Sequence, residues 1–437
     1  MIKKILDKVK DKVDAAEVYY YSGTSRNVTY KGWKLHSSGA KETSGYSLRV
    51  IKDGRLGFSA SKDPNAIDQM IESAIATAEY GEKTQIKFPG EKSQSNVKLY
   101  DKKVPKVDLA ELIDAGAYFS ERNSKYRDKC DMEFSARISE GGFKLANTSG
   151  LYVEDAGTMM VLGGNLVRIK QDDVFFVHDM FAKRDLPESL EKVIDKVVEK
   201  FDNKLDWADN LEEIDSGVKP IIFDPRGSLV LLLPLFQGIN GDNIHTGASP
   251  ISGSIGEKIF DSKLTIMNDA TQDWLIGSGN VDEEGVPMRS FPIVEDGILK
   301  NFLHNLDTAA RSGMEPNGCA NRGIFSHPSP QSANVIVKEG DVSYDDIISD
   351  IEDGVLLESV LGMGQGNVLS GAFSNPFGIA FKIKNGEVVG RVKDATIAGN
   401  IYDLMKNISS ISDKGRWFHG QYFCPYIRMD NIPVVGK

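Results

Sequence analysis

The chain is poor in the residues that build disulfide scaffolds and metal knuckles. Its 437 residues include three cysteines, Cys130, Cys319 and Cys424, widely separated, odd in number and without a CxxC pair. That excludes a disulfide framework and a cysteine-rich zinc knuckle, and makes a reducing cytoplasm the expected compartment. Histidine is scarce as well: His36, His178, His245, His304, His327 and His419 are all there are, and no two stand three to five residues apart. Two ligands on one helical face, as in His-Glu-x-x-His, therefore cannot occur, and a metal-independent chain is expected. Long apolar runs are missing. The most apolar stretch, Leu229 to Phe236, has eight residues and contains Pro234, less than half of the roughly 20 residues that a membrane span needs. At the amino terminus Ile2, Ile5, Leu6, Val9 and Val13 keep helical spacing among alternating charges. A signal peptide would need an unbroken apolar stretch, so no export signal is expected. Positive charge is in deficit too: 52 Lys and Arg against 63 Asp and Glu leave a net charge of −11, which disfavours wrapping nucleic acid.

What is present, 41% hydrophobic and 26% charged residues, is the composition of a folded globular protein. The length favours two or three domains. The amphipathic first helix leads into β-rich runs at Glu17 to Tyr21, Tyr46 to Ile51 and Leu56 to Ala60, with Asp53-Gly54 as a hairpin turn. Asp63-Pro64 then opens a helix whose stripe is Ile67, Met70, Ile71, Ile75 and Ala78, ending near Gly81. This first unit, residues 1–81, is followed by a polar connection over 82–107. A second unit, 108–206, repeats the order: a helix from about Asp108 to Lys125, then strands from Met132 to Asp179. These strands are punctuated by Gly141-Gly142, Ser149-Gly150 and Gly163-Gly164, and a helix from Pro187 to about Lys204 closes the unit. The third region, 217–437, starts with a strand at Lys219 to Phe223, and Asp224-Pro225 opens an apolar helix through Phe236. Further on stand turns at Asp296-Gly297, Asp353-Gly354 and Asn385-Gly386, and helices near Leu303 to Ser312 and Asn400 to Asn407. The expected fold class is α+β, two helix-plus-antiparallel-meander units followed by a larger β-rich C-terminal domain.

Few patterns carry chemistry. No Gly-x-Ser-x-Gly elbow is present, and Gly362-Met363-Gly364-Gln365-Gly366 is not followed by Gly-Lys-Ser/Thr, so this cluster reads as a tight loop lining a cleft. Cys319, in a glycine-flanked loop, would need His304 beside it to act as a nucleophile, and a small buried cysteine is the commoner role. His419 with Cys424 is the pair from which a dispersed metal site could start. The acidic stretches Asp209 to Asp215, Asp282-Glu283-Glu284 and Asp341 to Asp353 lack the ligand spacing of a calcium loop and read as solvated surface.

Several ordered motifs nevertheless carry a resemblance. Gly247-Ala248-Ser249-Pro250, Asp282-Glu283-Glu284-Gly285-Val286-Pro287 and the run Glu295-Asp296-Gly297-Ile298-Leu299-Lys300-Asn301-Phe302-Leu303-His304-Asn305-Leu306 are three of them. With Gly313-Met314-Glu315-Pro316-Asn317-Gly318, Leu369-Ser370-Gly371-Ala372-Phe373-Ser374 and Thr396-Ile397-Ala398-Gly399-Asn400, they resemble the C-terminal domain of the TldD/PmbA family, also called the modulator of DNA gyrase family. In that family TldD-like subunits carry His-Glu-x-x-x-His on a helix of the third domain and PmbA/TldE-like subunits do not. The helix after Asp224-Pro225 reads Leu229 to Asn240 without histidine or glutamate, so the chain resembles the PmbA/TldE branch. The resemblance implies a non-catalytic subunit of a zinc metallopeptidase acting on unfolded peptides or small proteins. No catalytic or metal residue is expected in this chain, and zinc is expected in a TldD-like partner, with a homodimer when the chain is alone. A peptide groove is expected near His304, Asn305, Gly362, Gly364, Gly366 and Ser370. The alternatives are a self-sufficient hydrolase built on Cys319 or a dispersed metal site, and a homo-oligomeric peptide-binding adaptor.

Overall fold

The computed structural model describes residues 1–90, 95–170 and 173–436. Its first half contains helices α1 (Ile2–Val9), α2 (Ile67–Tyr80), α3 (Leu109–Arg122) and α4 (Leu190–Asp209). They surround strands β1 (Ala15–Lys31), β2 (Lys34–Lys52), β3 (Arg55–Ser61), β4 (Asp131–Asn147), β5 (Tyr152–Lys170) and β6 (Asp173–Lys183). The third region opens with β7 (Leu211–Glu212), β8 (Gly217–Phe223), α5 (Leu229–Gly238), α6 (Gly241–His245), β9 (Ile266–Asp269), β10 (Ser290–Glu295), β11 (Ile298–Leu299) and α7 (Leu306–Ser312). It continues through β12 (Ala320–Asn321), β13 (Ser329–Pro330), β14 (Asn334–Val337), α8 (Tyr344–Ser349), β15 (Asp353–Val360), β16 (Ala372–Lys384), β17 (Glu387–Val392), β18 (Thr396–Asn400), α9 (Ile401–Leu404), β19 (Ser410–Phe418) and β20 (Tyr422–Val435). The class is α+β, as expected. Among the described residues no helix is long and apolar enough to cross a membrane.

The two expected meanders fuse into one antiparallel sheet of order β3-β2-β1-β4-β5-β6. Strands β1 and β4 join them, in register from Glu17 opposite Asn147 to Lys31 opposite Glu133. The first helical pair covers one end of this sheet. Ile2, Ile5 and Val9 of α1 and Ile67, Met70, Ile71, Ala74 and Ala78 of α2 pack on Val18, Leu48 and Val50. Helices α3 and α4 cover the other end, where Leu112, Phe119, Ile194 and Phe201 pack with Val28, Phe134 and Leu162. Each such side chain contributes about 1.5–3 kcal/mol by leaving water. Between the two ends the strands run through Ser22-Gly23-Thr24-Ser25, Ser44-Gly45 and Glu140-Gly141-Gly142, largely half-exposed and, among the described residues, without an α-helix over them.

The third region forms a larger sheet, β11-β10-β9-β14-β20-β8-β15-β16-β17-β7, with β18 and β19 attached to its central strands. Strict alternation divides it between two cores. Ile221, Phe223, Val355 and Leu357 face α5 with Val230, Leu231 and Leu235. Ile222, Leu356 and Phe381 face the second unit, where Phe381 meets Trp207 edge-on at a centroid distance of 5.1 Å.

Several expectations are corrected. Gly141-Gly142 and Gly163-Gly164 lie inside β4 and β5 rather than in turns; at Gly164 a Cβ would come within 2.6 Å of the Phe119 ring, so glycine is there for close packing. Asp353-Gly354 opens β15, because the apolar run behind it pairs with β8 and β16 at once. Asp53-Gly54, Asp296-Gly297 and Asn385-Gly386 are turns with positive φ, as expected. The segment expected as a polar connection buries Ile86, Phe88, Val97 and Leu99 and bonds to both regions, through Leu99 O to Thr158 N at 2.9 Å and Val97 N to Asn280 Oδ1 at 2.8 Å. Residues 91–94 of that segment lie outside the described residues.

Helix α2 rests on β3 at Gly57, where a Cβ would lie 2.1 Å from Ala74 O and 2.8 Å from Ala78 Cβ. Gly57→Val should therefore lift the helix and cost at least ~1–3 kcal/mol, the usual penalty of overpacking. A lowered thermal unfolding midpoint checks this, and an unchanged midpoint would show that the helix does not depend on that approach.

Candidate functional site

The apolar helix α5 stands where the family resemblance places a metal helix. Asp224 prepares its start: Oδ1 accepts Gly227 N at 2.7 Å, and Oδ2 accepts Arg416 Nη2 at 2.5 Å. Val230, Leu231, Leu232, Pro234 and Leu235 are buried. Leu229, Leu233 and Phe236 form a half-buried stripe at helical spacing, and Leu361 and Met363 are exposed. Family membership would imply zinc, but these residues do not fit it. Hydrocarbon side chains have no donor for a metal. Among the described residues no three His, Cys, Asp or Glu side chains gather as a metal site requires.

The expected groove residues fall into two groups. The glycine loop lies beside α5, with Gly362, Gly364 and Gly366 at φ of 70°, 87° and 76°, and a Cβ on Gly364 would sit 3.6 Å from Leu233. Its far end is fixed: Ser370 N and Oγ bond to Asn367, and Asn400 Nδ2 donates to Ser370 O at 3.0 Å. His304 and Asn305 are instead buried at the start of α7, each about 2% exposed. Asn305 Oδ1 accepts Thr308 N at 2.9 Å and Thr308 Oγ1 accepts Asn305 N at 3.1 Å, a reciprocal cap. His304 Nδ1 lies 3.2 Å from Thr308 Oγ1, its Nε2 is buried without a partner, and burial pushes its pKa down to about 4. Among the described residues no hydrogen bond or ring contact links the two groups.

The remaining candidates stand in surroundings that disfavour their charged forms, although the His304 backbone lies within hydrogen-bond reach of Cys319. Cys319 is buried, and burial, reinforced by Asp282, pushes its thiol pKa far up, so the nucleophilic thiolate is disfavoured. Burial and Asp224 do the same to Cys424. His419 turns at φ 49° between β19 and β20, with its pKa lowered by burial and by Arg226.

Sequence reasoning missed a buried ion cluster at the junction of the first sheet and the third region. Asp282-Glu283-Glu284, expected as solvated surface, is turned inward: Asp282 is 2% and Glu284 0% exposed. Arg49 donates through Nε and Nη2 to Glu17 at 3.0 and 2.9 Å, and through Nη1 to Glu284 at 2.5 Å. Arg322 Nη1 donates to the same Glu17 at 2.8 Å, and its guanidinium lies 4.1 Å over the Tyr19 ring. Tyr19 OH donates to Glu283 at 3.2 Å. Burial opposes the charge on Glu17, yet Arg322 and Arg49 hold its carboxyl below the usual range. Burial and then Glu284 raise Asp282 to about 7, while its oxygens accept the backbone N–H groups of Glu284, Val286 and Ala320. The only sequence signal was an acidic triplet followed by a turn, since Glu17 and Arg49 lie more than 200 residues away.

Comparison with known proteins identifies the family and the fold. The PmbA/TldA metallopeptidase C-terminal domain profile matches residues 216–436, and the PmbA/TldA metallopeptidase domain 1 profile matches 16–78. A protein of Methanothermobacter thermautotrophicus named metalloprotease is 28% identical, the alignment covering 99% of this chain and 98% of that one. TldE from Thermococcus kodakarensis superposes with a TM-score of 0.86 at 23% identity, covering 99% of both chains. A Thermotoga maritima protein described as a modulator of DNA gyrase gives 0.88 at 21% identity, again over 99% of each.

Glu17→Gln would leave Arg49 and Arg322 with reduced compensation in a buried site, at a cost of about 3–5 kcal/mol by analogy with other broken buried pairs. Because the folded carboxyl titrates below its ordinary value of 4.5, this stabilisation is fully present above that pH and is lost as pH falls through the folded pKa. Unfolding midpoints across pH 3–7 should show the variant well below the parent near neutrality and the gap closing in acid. A constant gap would assign the effect to packing rather than charge.

Proposed function

The chain belongs to the PmbA/TldD metallopeptidase family, and from that premise we propose that it is a TldE-like subunit which carries no zinc and works with a TldD-like zinc-binding partner. The observation that carries this reading is α5. In a zinc peptidase the metal activates water and a neighbouring carboxylate moves protons. Leu229 to Gly238 supply neither donor nor base. The contribution of this chain is to bind and orient an unfolded peptide for the partner. The glycine loop beside Leu233, with positive φ at three positions, allows a peptide backbone to approach closely. The half-buried Leu229, Leu233 and Phe236 with exposed Leu361 and Met363 support a subunit contact along the same edge. The same surface supports a homodimer when the chain is alone.

Co-expression with a TldD-like subunit tests the proposal. The isolated chain should purify as a dimer with no stoichiometric zinc and no peptidase activity, and the mixed complex should hold zinc and cleave an unfolded peptide. About one zinc per isolated chain, or cleavage lost on mutating Cys319, would favour a self-sufficient hydrolase. Peptide binding without any complex formation would favour an adaptor. Gly364→Val with Gly366→Val should weaken cleavage by the complex and leave its assembly intact; unchanged cleavage would move the groove elsewhere.

A further inference from the structure

The uncovered middle of the first sheet faces the third region across a cavity of about 490 Å³, with Gly157, Arg184, Ser278, Asp282 and Glu283 among its walls. That volume lies within the ~300–1,000 Å³ typical of small-ligand sites. Arg184 is locked into this wall along its whole length. Its backbone N–H donates to Trp274 O at 2.9 Å, and its carbonyl accepts Thr158 Oγ1 at 2.6 Å. Its Nε donates to Leu275 O at 3.0 Å, and Nη2 donates to Ile276 O at 2.9 Å and Ser278 O at 3.1 Å. The turn presenting these carbonyls holds Trp274 at φ 67°, a left-handed conformation that bulky residues avoid.

A guanidinium has five N–H donors, so the two on Nη1 remain. Nη1 lies above Gly157, where a Cβ would come within 2.2 Å of it, and only glycine leaves that space. Among the described residues Arg184 forms no ion pair, and burial lowers its pKa with only Asp155 opposing. A rigid cation with spare donors and no ion pair, facing a cavity, is built to receive an anion. The walls also carry Glu140, Asp155 and Glu283, together with the further cations Lys41 and Arg137, so both charges are present. A bare phosphate would meet these carboxylates as like charges, whereas a molecule with an ammonium at one end and a carboxylate at the other satisfies both.

We infer that this cavity binds a short peptide with free termini, its carboxylate held by Nη1 of Arg184 and its ammonium by the acidic wall. The site lies in this chain alone and does not depend on a partner subunit. Calorimetric titration of the full chain with trialanine, trialanine amide and inorganic phosphate tests it. Trialanine should bind, and its amide at least tenfold more weakly. Arg184→Gln should bring acid and amide to equal, weak affinity, and Gly157→Ala should weaken the acid selectively by displacing Nη1. Equal binding of acid and amide by the parent protein overturns the assignment even if Arg184→Gln fails to fold. So does the absence of trialanine binding at millimolar concentration, and phosphate binding as tightly as trialanine would overturn the peptide class.

Discussion

Two carboxylates and two guanidiniums, sealed together where β1 and β2 meet the third region, set the geometry on which the rest of the molecule depends. Glu17 and Glu284 balance Arg49 and Arg322 in charge, so the group can be buried without an outside counterion. Apolar surfaces alone tolerate some sliding, but a bidentate Arg49–Glu17 fork does not. The same contact fixes the turn at residues 282–287. Asp282 gathers three backbone N–H groups there, and Glu284 Oε2 accepts the N–H of Leu306 at 2.7 Å, which ties α7 to the cluster.

With that junction fixed, the long strands of the first sheet are held at both ends and left open between. The helical pairs supply apolar cover at the ends, while Ser, Thr and Gly in the middle give a surface that needs none. This explains why the sheet can lie across the third region and still leave a cavity between them. The walls of that space come from both regions, Gly157 and Arg184 from one and Ser278 and Asp282 from the other. Its shape therefore follows from the ion cluster beside it rather than from either sheet alone.

Elements specified by neighbouring residues were legible in the sequence, and those specified across the chain were not. The stripes of α1 and α2 and the Asp53-Gly54, Asp296-Gly297 and Asn385-Gly386 turns could be read because their signals lie within a few residues. The middle of β1 and β2 could not: from Ser22 to Asn27 and from Ser37 to Ser44 both faces are partly exposed, and hydrophobic alternation disappears. Asp353-Gly354 misled because the same dipeptide type serves a strand when paired on both sides. At the site, the glycine loop and the donor-free α5 were legible as composition. The inward turn of Asp282 to Glu284 was not, since a buried acid differs from a surface one only by its distant partners. His304 and Asn305 were legible as a motif, but their hydrogen bonds belong to the capping of α7.

Under the proposed reading, the composition of α5 bears on how function divides between subunits. A catalytic zinc needs polar ligands, hydrogen-bonded support behind them and one open coordination position. Around α5 the supports have gone the other way: Gly238 lies against Tyr402, where a Cβ would come within 2.2 Å of its hydroxyl, and Leu231 and Leu235 are packed in the core. Introducing one histidine or glutamate would put an unsupported polar group among hydrocarbon side chains, where burial without partners is costly. On that reading, the lack of metal ligands on α5 is built into the packing as well as the side-chain identities. Under the proposed reading such a chain is specialised for holding peptide and partner, and chemistry must come from a subunit whose equivalent helix keeps both donors and their support.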